Sequence, residues 1–182
     1  MTENGSIIET GRLILQPFTG SCKEIRDMLK NWISDPAVQN EYGEPVYTTA
    51  EDVEKLLTRY RADPYRWAIC EKESGECIGQ VAFCKVWEDV HTAEIEYCVG
   101  SSFQGNGYAG EALSAVIDYG FTHTDFKRLE AYHRAANPRS GKVLLKSAMH
   151  PTDTVERFRR EGITPENEIC YCIQYDEWFS GR

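Results

Sequence analysis

Residues 101–113 read SSFQGNGYAGEAL and place Gly105, Gly107 and Gly110 within six positions, directly ahead of a helical pattern. Glycine loses more backbone freedom on folding than any other residue, so three of them at a helix start need a reason. Ahead of them, HTAEIEYCVG (91–100) has the β-branched and aromatic content of a strand. Behind them, Leu113, Val116, Ile117, Gly120 and Phe121 fall on one helical face. The chain must therefore pass from strand to helix through a glycine turn. The first turn of a helix carries unpaired N–H groups and the positive end of the helix dipole. Glycines let a bulky anion approach that backbone closely. A loop that merely needs positive φ angles, with Gly110 as a packing accommodation, is the competing reading. No GxxxxGK[ST] is present. GNGYAG matches the bare G-x-G-x-x-G, but no early βαβ unit opens the chain.

The rest of the chain places this turn. RLILQPF (12–18) reads as a first strand. Ile25, Met28, Leu29, Trp32 and Ile33 form one apolar helix face, closed by Asp35-Pro36. Thr48 with Glu51 gives a capping-box pattern before Val53, Leu56, Leu57 and Tyr60, and Asp63-Pro64 stops that helix. Two strands surround the turn KESGE at 72–76, and 91–100 supplies a third. After the glycine helix come a strand at 128–136 and a helix opened by Asn137 and Pro138. TVERFRREG (154–162) and EICYCIQYDEWF (168–179) read as a closing hairpin. Strands in direct succession imply antiparallel pairs, whereas the strand–helix–strand unit at 92–136 implies one parallel pair with a crossover. The fold class is mixed α/β: a central, mostly antiparallel sheet with helices on both faces, in a single domain over 1–182.

The net charge of −9 argues against a general nucleic-acid binder and fits a cationic substrate better. Seven cysteines, mostly in apolar strand-like stretches, with no CxxC and no zinc-finger spacing, read as reduced thiols in a cytoplasmic protein. The four histidines form no metal-binding motif, so no metal is expected. MTENGSIIETGR lacks the apolar segment of a signal peptide, and no run approaches the ~20 apolar residues that span a bilayer, so no membrane partner is expected.

Gln104-Gly105-Asn106-Gly107-Tyr108-Ala109 resembles the Q/R-x-x-G-x-G/A acetyl-coenzyme A signature of the GNAT N-acetyltransferases. ETGRLILQPF, WAICEKESGECIGQVAF, AEIEYCVGSSFQGNGYAGEALSAVIDYGF, RLEAYHRAANPRSGKVLLKSAM and YDEW are similar, in order, to the branch that acetylates ribosomal-protein N-termini. The resemblance implies a GNAT fold with a splayed parallel strand pair. It implies acetyl-coenzyme A (acetyl-CoA) as donor, its pyrophosphate held by backbone amides from Gln104 to Gly110, including Tyr108 and Ala109. It further implies that the pantetheine arm pairs with the edge at Cys98 and Val99, residues that otherwise read as core.

Asn137 matches a family asparagine that hydrogen-bonds the pantetheine arm, and it also suits a plain helix cap. Ser140 resembles the serine placed beside the thioester sulfur in related N-terminal acetyltransferases, where it would donate a proton to the leaving thiolate. A solvated first-turn serine is the alternative. Many family members carry a tyrosine acid four residues beyond that position, where this chain has Leu144. Glu94 and Glu96 alternate with Ile95 and Tyr97, so their carboxylates share one strand side. Glu94 matches the catalytic glutamate of the histone-acetylating branch. Either carboxylate reads as the base that deprotonates the amine, or as a structural ion-pair partner.

These readings imply transfer of an acetyl group to a primary amine, a protein or peptide N-terminus, through a tetrahedral intermediate. A small-molecule amine acetyltransferase and a non-catalytic acyl-CoA-binding regulator are the alternatives. The sequence leaves open the acceptor and the oligomeric state, a homodimer being one option.

Overall fold

In the computed structural model, residues 6–157 and 166–182 are described. They form eight strands, β1 (Ile8–Glu9), β2 (Leu13–Gln16), β3 (Arg66–Glu71), β4 (Cys77–Trp87), β5 (Thr92–Val99), β6 (Arg128–Arg134), β7 (His150–Arg157) and β8 (Glu166–Gln174). The helices are α1 (Cys22–Asn31), α2 (Pro36–Tyr42), α3 (Ala50–Ala62), α4 (Tyr108–His123), α5 (Pro138–Lys146) and α6 (Tyr175–Ser180). The strands make one sheet in the order β1-β2-β3-β4-β5-β6-β8-β7. β5 and β6 are parallel, joined through α4, as the strand–helix–strand reading requires. Their register runs from Thr92↔Arg128 to Ile95↔Ala131, and both strands continue beyond it.

The chain groups into two compact units, residues 1–82 with 97–115, and residues 83–96 with 116–182. In the first, α1, α2 and α3 bury Ile25, Met28, Trp32, Val38, Val53, Leu56 and Leu57 in one cluster with Ala68, Cys77 and Cys98 of the sheet. Each such fully buried aliphatic side chain contributes about 1.5–3 kcal/mol over its exposed state. In the second, Gly120 of α4 lies against Phe83 and Leu129, where a Cβ would come within 2.9 Å of the Phe83 ring. Gly141 of α5 likewise sits against His133 and Tyr171.

Three sequence expectations change. Asp35-Pro36 does not simply close the first helix. α1 ends at Asn31, and Asp35 then caps α2, its carboxylate accepting from the Ala37 N–H at 2.9 Å with Pro36 in the first turn. The cap of α3 is Thr49, not Thr48, with its hydroxyl accepting from the Asp52 N–H at 3.2 Å, so the Thr48–Glu51 capping box does not form. YDEWF is helix α6 rather than strand. Gln174 and Glu177 form a true capping box there, which outweighs the β preference of the aromatics. The hairpin expected from 154–162 is seen as β7 to Arg157, and its remainder lies outside the described residues.

Candidate functional site

β5 delivers the chain to the glycine turn. The Gly100 N–H donates to the Ile78 carbonyl at 2.9 Å. Ser101 begins a single 3-10 turn, and its hydroxyl donates to Asp35 at 2.5 Å. The Gln104 side-chain amide folds back onto the Val99 carbonyl at 3.2 Å, and Asn106 caps the Phe103 carbonyl at 3.2 Å. Gly105 and Gly107 then adopt φ of +82° and +83°, the left-handed region that side-chain-bearing residues rarely enter. α4 follows at once from Tyr108. Gln104 to Gly107 are exposed, and a Cβ on Gly105 or Gly110 would meet no atom within 4 Å. Gly105 and Gly107 thus take the positive φ that favours glycine, and the places where a Cβ on Gly105 or Gly110 would stand are open, at the start of a 16-residue helix. These residues fit a pyrophosphate.

The turn is held from outside by residues to which the sequence assigned no role. Glu111 sits in the first turn of α4 and takes four donors. Its Oε1 accepts from the Thr10 hydroxyl at 2.6 Å and the Arg12 N–H at 2.8 Å, and its Oε2 from Arg12 Nε and Nη2, each at 2.7 Å. Arg12 Nη1 donates to the Asn106 carbonyl at 2.9 Å, and its guanidinium lies 4.7 Å from the Tyr108 ring centre. The Tyr108 hydroxyl donates to Glu71. Burial raises the Glu111 carboxyl, but the donors from Thr10 and Arg12 outweigh it and hold it below its ordinary value. Glu71 is lowered too, first through the Tyr108 hydroxyl and then through Ser74. The sequence signal for this brace is the carboxylate of Glu111 in the first turn of α4.

Cys98 and Val99, expected along the pantetheine edge, are buried at the end of β5. Gly79 lets the strands approach there, since its Cβ would fall 2.1 Å from the Cys98 carbonyl oxygen.

Glu94 and Glu96 share one face of β5. Glu94 is buried and meets Lys85 of β4 at 3.2 Å, while Glu96 is half-buried. Their neighbour in register with Glu94 is Glu130 of β6, which accepts from Arg128 at 2.6 Å and from the Tyr132 hydroxyl at 2.8 Å. Asn137 caps α5, its side-chain oxygen accepting the Ser140 N–H at 3.4 Å. Ser140 is half-buried in the first turn. Leu144, at the position of the absent tyrosine, is fully buried and part of the core.

Among the described residues, no group of three or more His, Cys, Asp or Glu is arranged for a metal ion, and no helix is long and apolar enough to cross a membrane.

Residues 12–150 match the family described as acetyltransferase (GNAT) domain. An uncharacterized N-acetyltransferase of Bacillus subtilis (strain 168), YoaA, is 27% identical over 172 residues, covering 92% of this chain and 96% of YoaA. The ribosomal-protein-serine acetyltransferase of Escherichia coli (strain K12) is 25% identical over 118 residues, 65% of each chain. The crystal structure of a GNAT-family acetyltransferase from Bacillus anthracis superposes with a TM-score of 0.83 at 24% identity, covering 94% of this chain and all of that one.

Proposed function

This chain belongs to the GNAT acetyltransferases and is an acetyl-CoA-dependent N-acetyltransferase, and we propose that its acceptor is the N-terminal amine of a protein or peptide. The observation that carries the acceptor reading is the likeness to the E. coli ribosomal-protein-serine acetyltransferase, which extends over 65% of both chains. The acetyl thioester supplies the electrophile. The turn from Gln104 to Gly110 holds the donor's pyrophosphate on backbone amides, and Cys98 and Val99 present the strand edge that its arm pairs with. Gly105 and Gly107 at left-handed φ, with open space before Gly105 and Gly110, support that placement. Asn137 both caps α5 and contacts the donor's arm. Glu94, or Glu96 on the same strand face, takes the proton from the attacking amine, because only the neutral amine is nucleophilic. With Leu144 buried where a tyrosine acid is common, Ser140 in the first turn of α5 is the donor of the proton that the departing thiolate needs. The reaction takes place in the cytoplasm.

Release of free thiol from acetyl-CoA, measured against N-terminal peptides, a polyamine and free amino acids, tests the reading. Turnover is expected on peptides bearing a free N-terminus and is lost when that amine is blocked. Turnover on the polyamine or amino acids alone overturns the acceptor assignment. Binding of acetyl-CoA without thiol release on any amine favours the regulator.

A further inference from the structure

The cradle contains a contradiction that one residue resolves. The N-terminus of α4 favours an anion because its N–H groups and dipole present positive charge. Glu111 places a carboxylate in that same first turn, where it competes with an incoming phosphate. Arg12 meets it with two donors on one oxygen, Nε and Nη2 each at 2.7 Å, and so neutralises the competing charge. The same guanidinium sends Nη1 to the carbonyl of Asn106 at 2.9 Å. In a trans peptide the C=O and the following N–H point in opposite directions. Holding the Asn106 carbonyl on the Arg12 side therefore turns the Gly107 N–H to the other side of the loop. Gly107 has φ of +83°, and its backbone passes close enough to Arg12 that a Cβ would stand 3.4 Å from Nη2.

We propose that Arg12 is a positioning residue for donor binding: it cancels the charge of Glu111 at the start of α4 and aims the Gly107 amide at the donor's pyrophosphate. This rests on the reading that residues 104–110 take that pyrophosphate. Arg12 acts through the loop and not on the reacting atoms. It sets affinity for the nucleotide end of the donor and leaves the acetyl-transfer step untouched. Thr10, which shares Glu111 with Arg12 at 2.6 Å, braces the arrangement from the turn between β1 and β2.

The test titrates coenzyme A into wild-type protein, Arg12→Ala, Arg12→Lys, Glu111→Gln and the double variant Arg12→Ala/Glu111→Gln, alongside steady-state kinetics with acetyl-CoA. Losing a charge-assisted clamp should weaken coenzyme A about tenfold in Arg12→Ala. KM for acetyl-CoA should rise in parallel, with kcat at saturation unchanged. Arg12→Lys keeps the charge but loses the fork, and should weaken binding by about threefold. Removing the Glu111 charge in the double variant should recover part of the affinity lost in Arg12→Ala. The gap between wild type and Arg12→Ala should narrow in high salt. Tight binding in both Arg12 variants overturns the proposal, as does a fall in kcat with KM unchanged. A double variant no tighter than Arg12→Ala overturns the neutralising role. Wild-type protein that fails to bind coenzyme A overturns the donor-site reading itself, and the proposal with it.

Discussion

Gly79 lies so close to the carbonyl oxygen of Cys98 that a Cβ on residue 79 would stand 2.1 Å from it, and 3.0 Å from Val99 Cα. Both contacts are with backbone, which cannot swing aside as a flexible side chain can. A glycine in β4 thus sets the position of the end of β5 along the edge proposed for the donor's arm.

Gly79→Ala should therefore destabilise the protein by about 2 kcal/mol, within the usual range for overpacking. It should also raise KM for acetyl-CoA, because the strand end must shift to admit the methyl group. Denaturant unfolding and initial rates measure the two effects. An unchanged midpoint together with an unchanged KM would show that β5 can move without consequence.

Gly110→Ala separates stability from binding. Gly110 is helical, and a Cβ there meets nothing within 4 Å. Alanine in place of a helical glycine stabilises by roughly 0.5–1 kcal/mol. The methyl group would stand in the open space proposed for the pyrophosphate. We expect a higher Tm without ligand and a smaller Tm rise on adding coenzyme A. A variant that gains stability and keeps the full ligand-induced rise places the phosphate elsewhere.

Leu144→Tyr tests whether the absent acid can be restored. Leu144 is fully buried. A tyrosine there adds a ring and a hydroxyl to a filled core, at a cost of about 1–3 kcal/mol. Stability should fall and kcat should not rise. A rate increase in a stable variant would mean that position 144 opens toward the reacting atoms.

The parts of the structure legible in the sequence are those fixed locally. Leu113, Val116 and Ile117 declare α4 through their spacing, and the glycines at 105 and 107 declare a turn that only they adopt without strain. Asp35-Pro36 misleads because the same dipeptide can end one helix or open the next. Thr48 and Thr49 are chemically equal caps, and in the fold it is Thr49 whose hydroxyl meets the Asp52 N–H. Arg12 and Glu111 stand far apart in sequence, and no local pattern joins them. Lys85 and Glu94 meet through pairing of β4 with β5, which the sequence proposes without fixing its register. The missing tyrosine at 144 was legible, whereas the full burial of that position needed the packing of α5.

The lowered carboxyl of Glu111 predicts a pH dependence. Its folded value lies below the ordinary 4.5, so its stabilising share is present above pH 4.5 and is lost as pH falls through the folded value. Glu71 changes in the same direction, while Glu24, raised by burial, changes in the opposite one. Comparing wild type with Glu111→Gln isolates the one residue. The Tm difference should be largest near neutral pH and shrink as the pH falls below 4.5 toward the folded value, because protonated glutamate and glutamine are equivalent. A difference constant across that range would show that the carboxyl gains nothing from Thr10 and Arg12.

Glu94 has a structural partner in Lys85 at 3.2 Å, so a loss of activity in Glu94→Gln alone does not distinguish a base from a broken ion pair. Lys85→Ala breaks the same pair and leaves the carboxylate in place. If Glu94 is the base, Glu94→Gln should lower kcat/KM by roughly 10²-fold or more, and Lys85→Ala by much less. The Glu94→Gln loss should be greatest below neutral pH, where the acceptor is protonated and deprotonation limits attack. It should shrink at high pH, where the neutral amine is already abundant. Affinity for coenzyme A should hold, because the site proposed for it is the glycine turn. Glu96→Gln runs in parallel, since its carboxylate shares the strand face. Collapse of Glu96→Gln with Glu94→Gln intact moves the role to Glu96. Equal losses in Glu94→Gln and Lys85→Ala, without pH dependence, make Glu94 a structural partner. Full activity in both glutamine variants hands the proton to water and leaves both glutamates to the sheet.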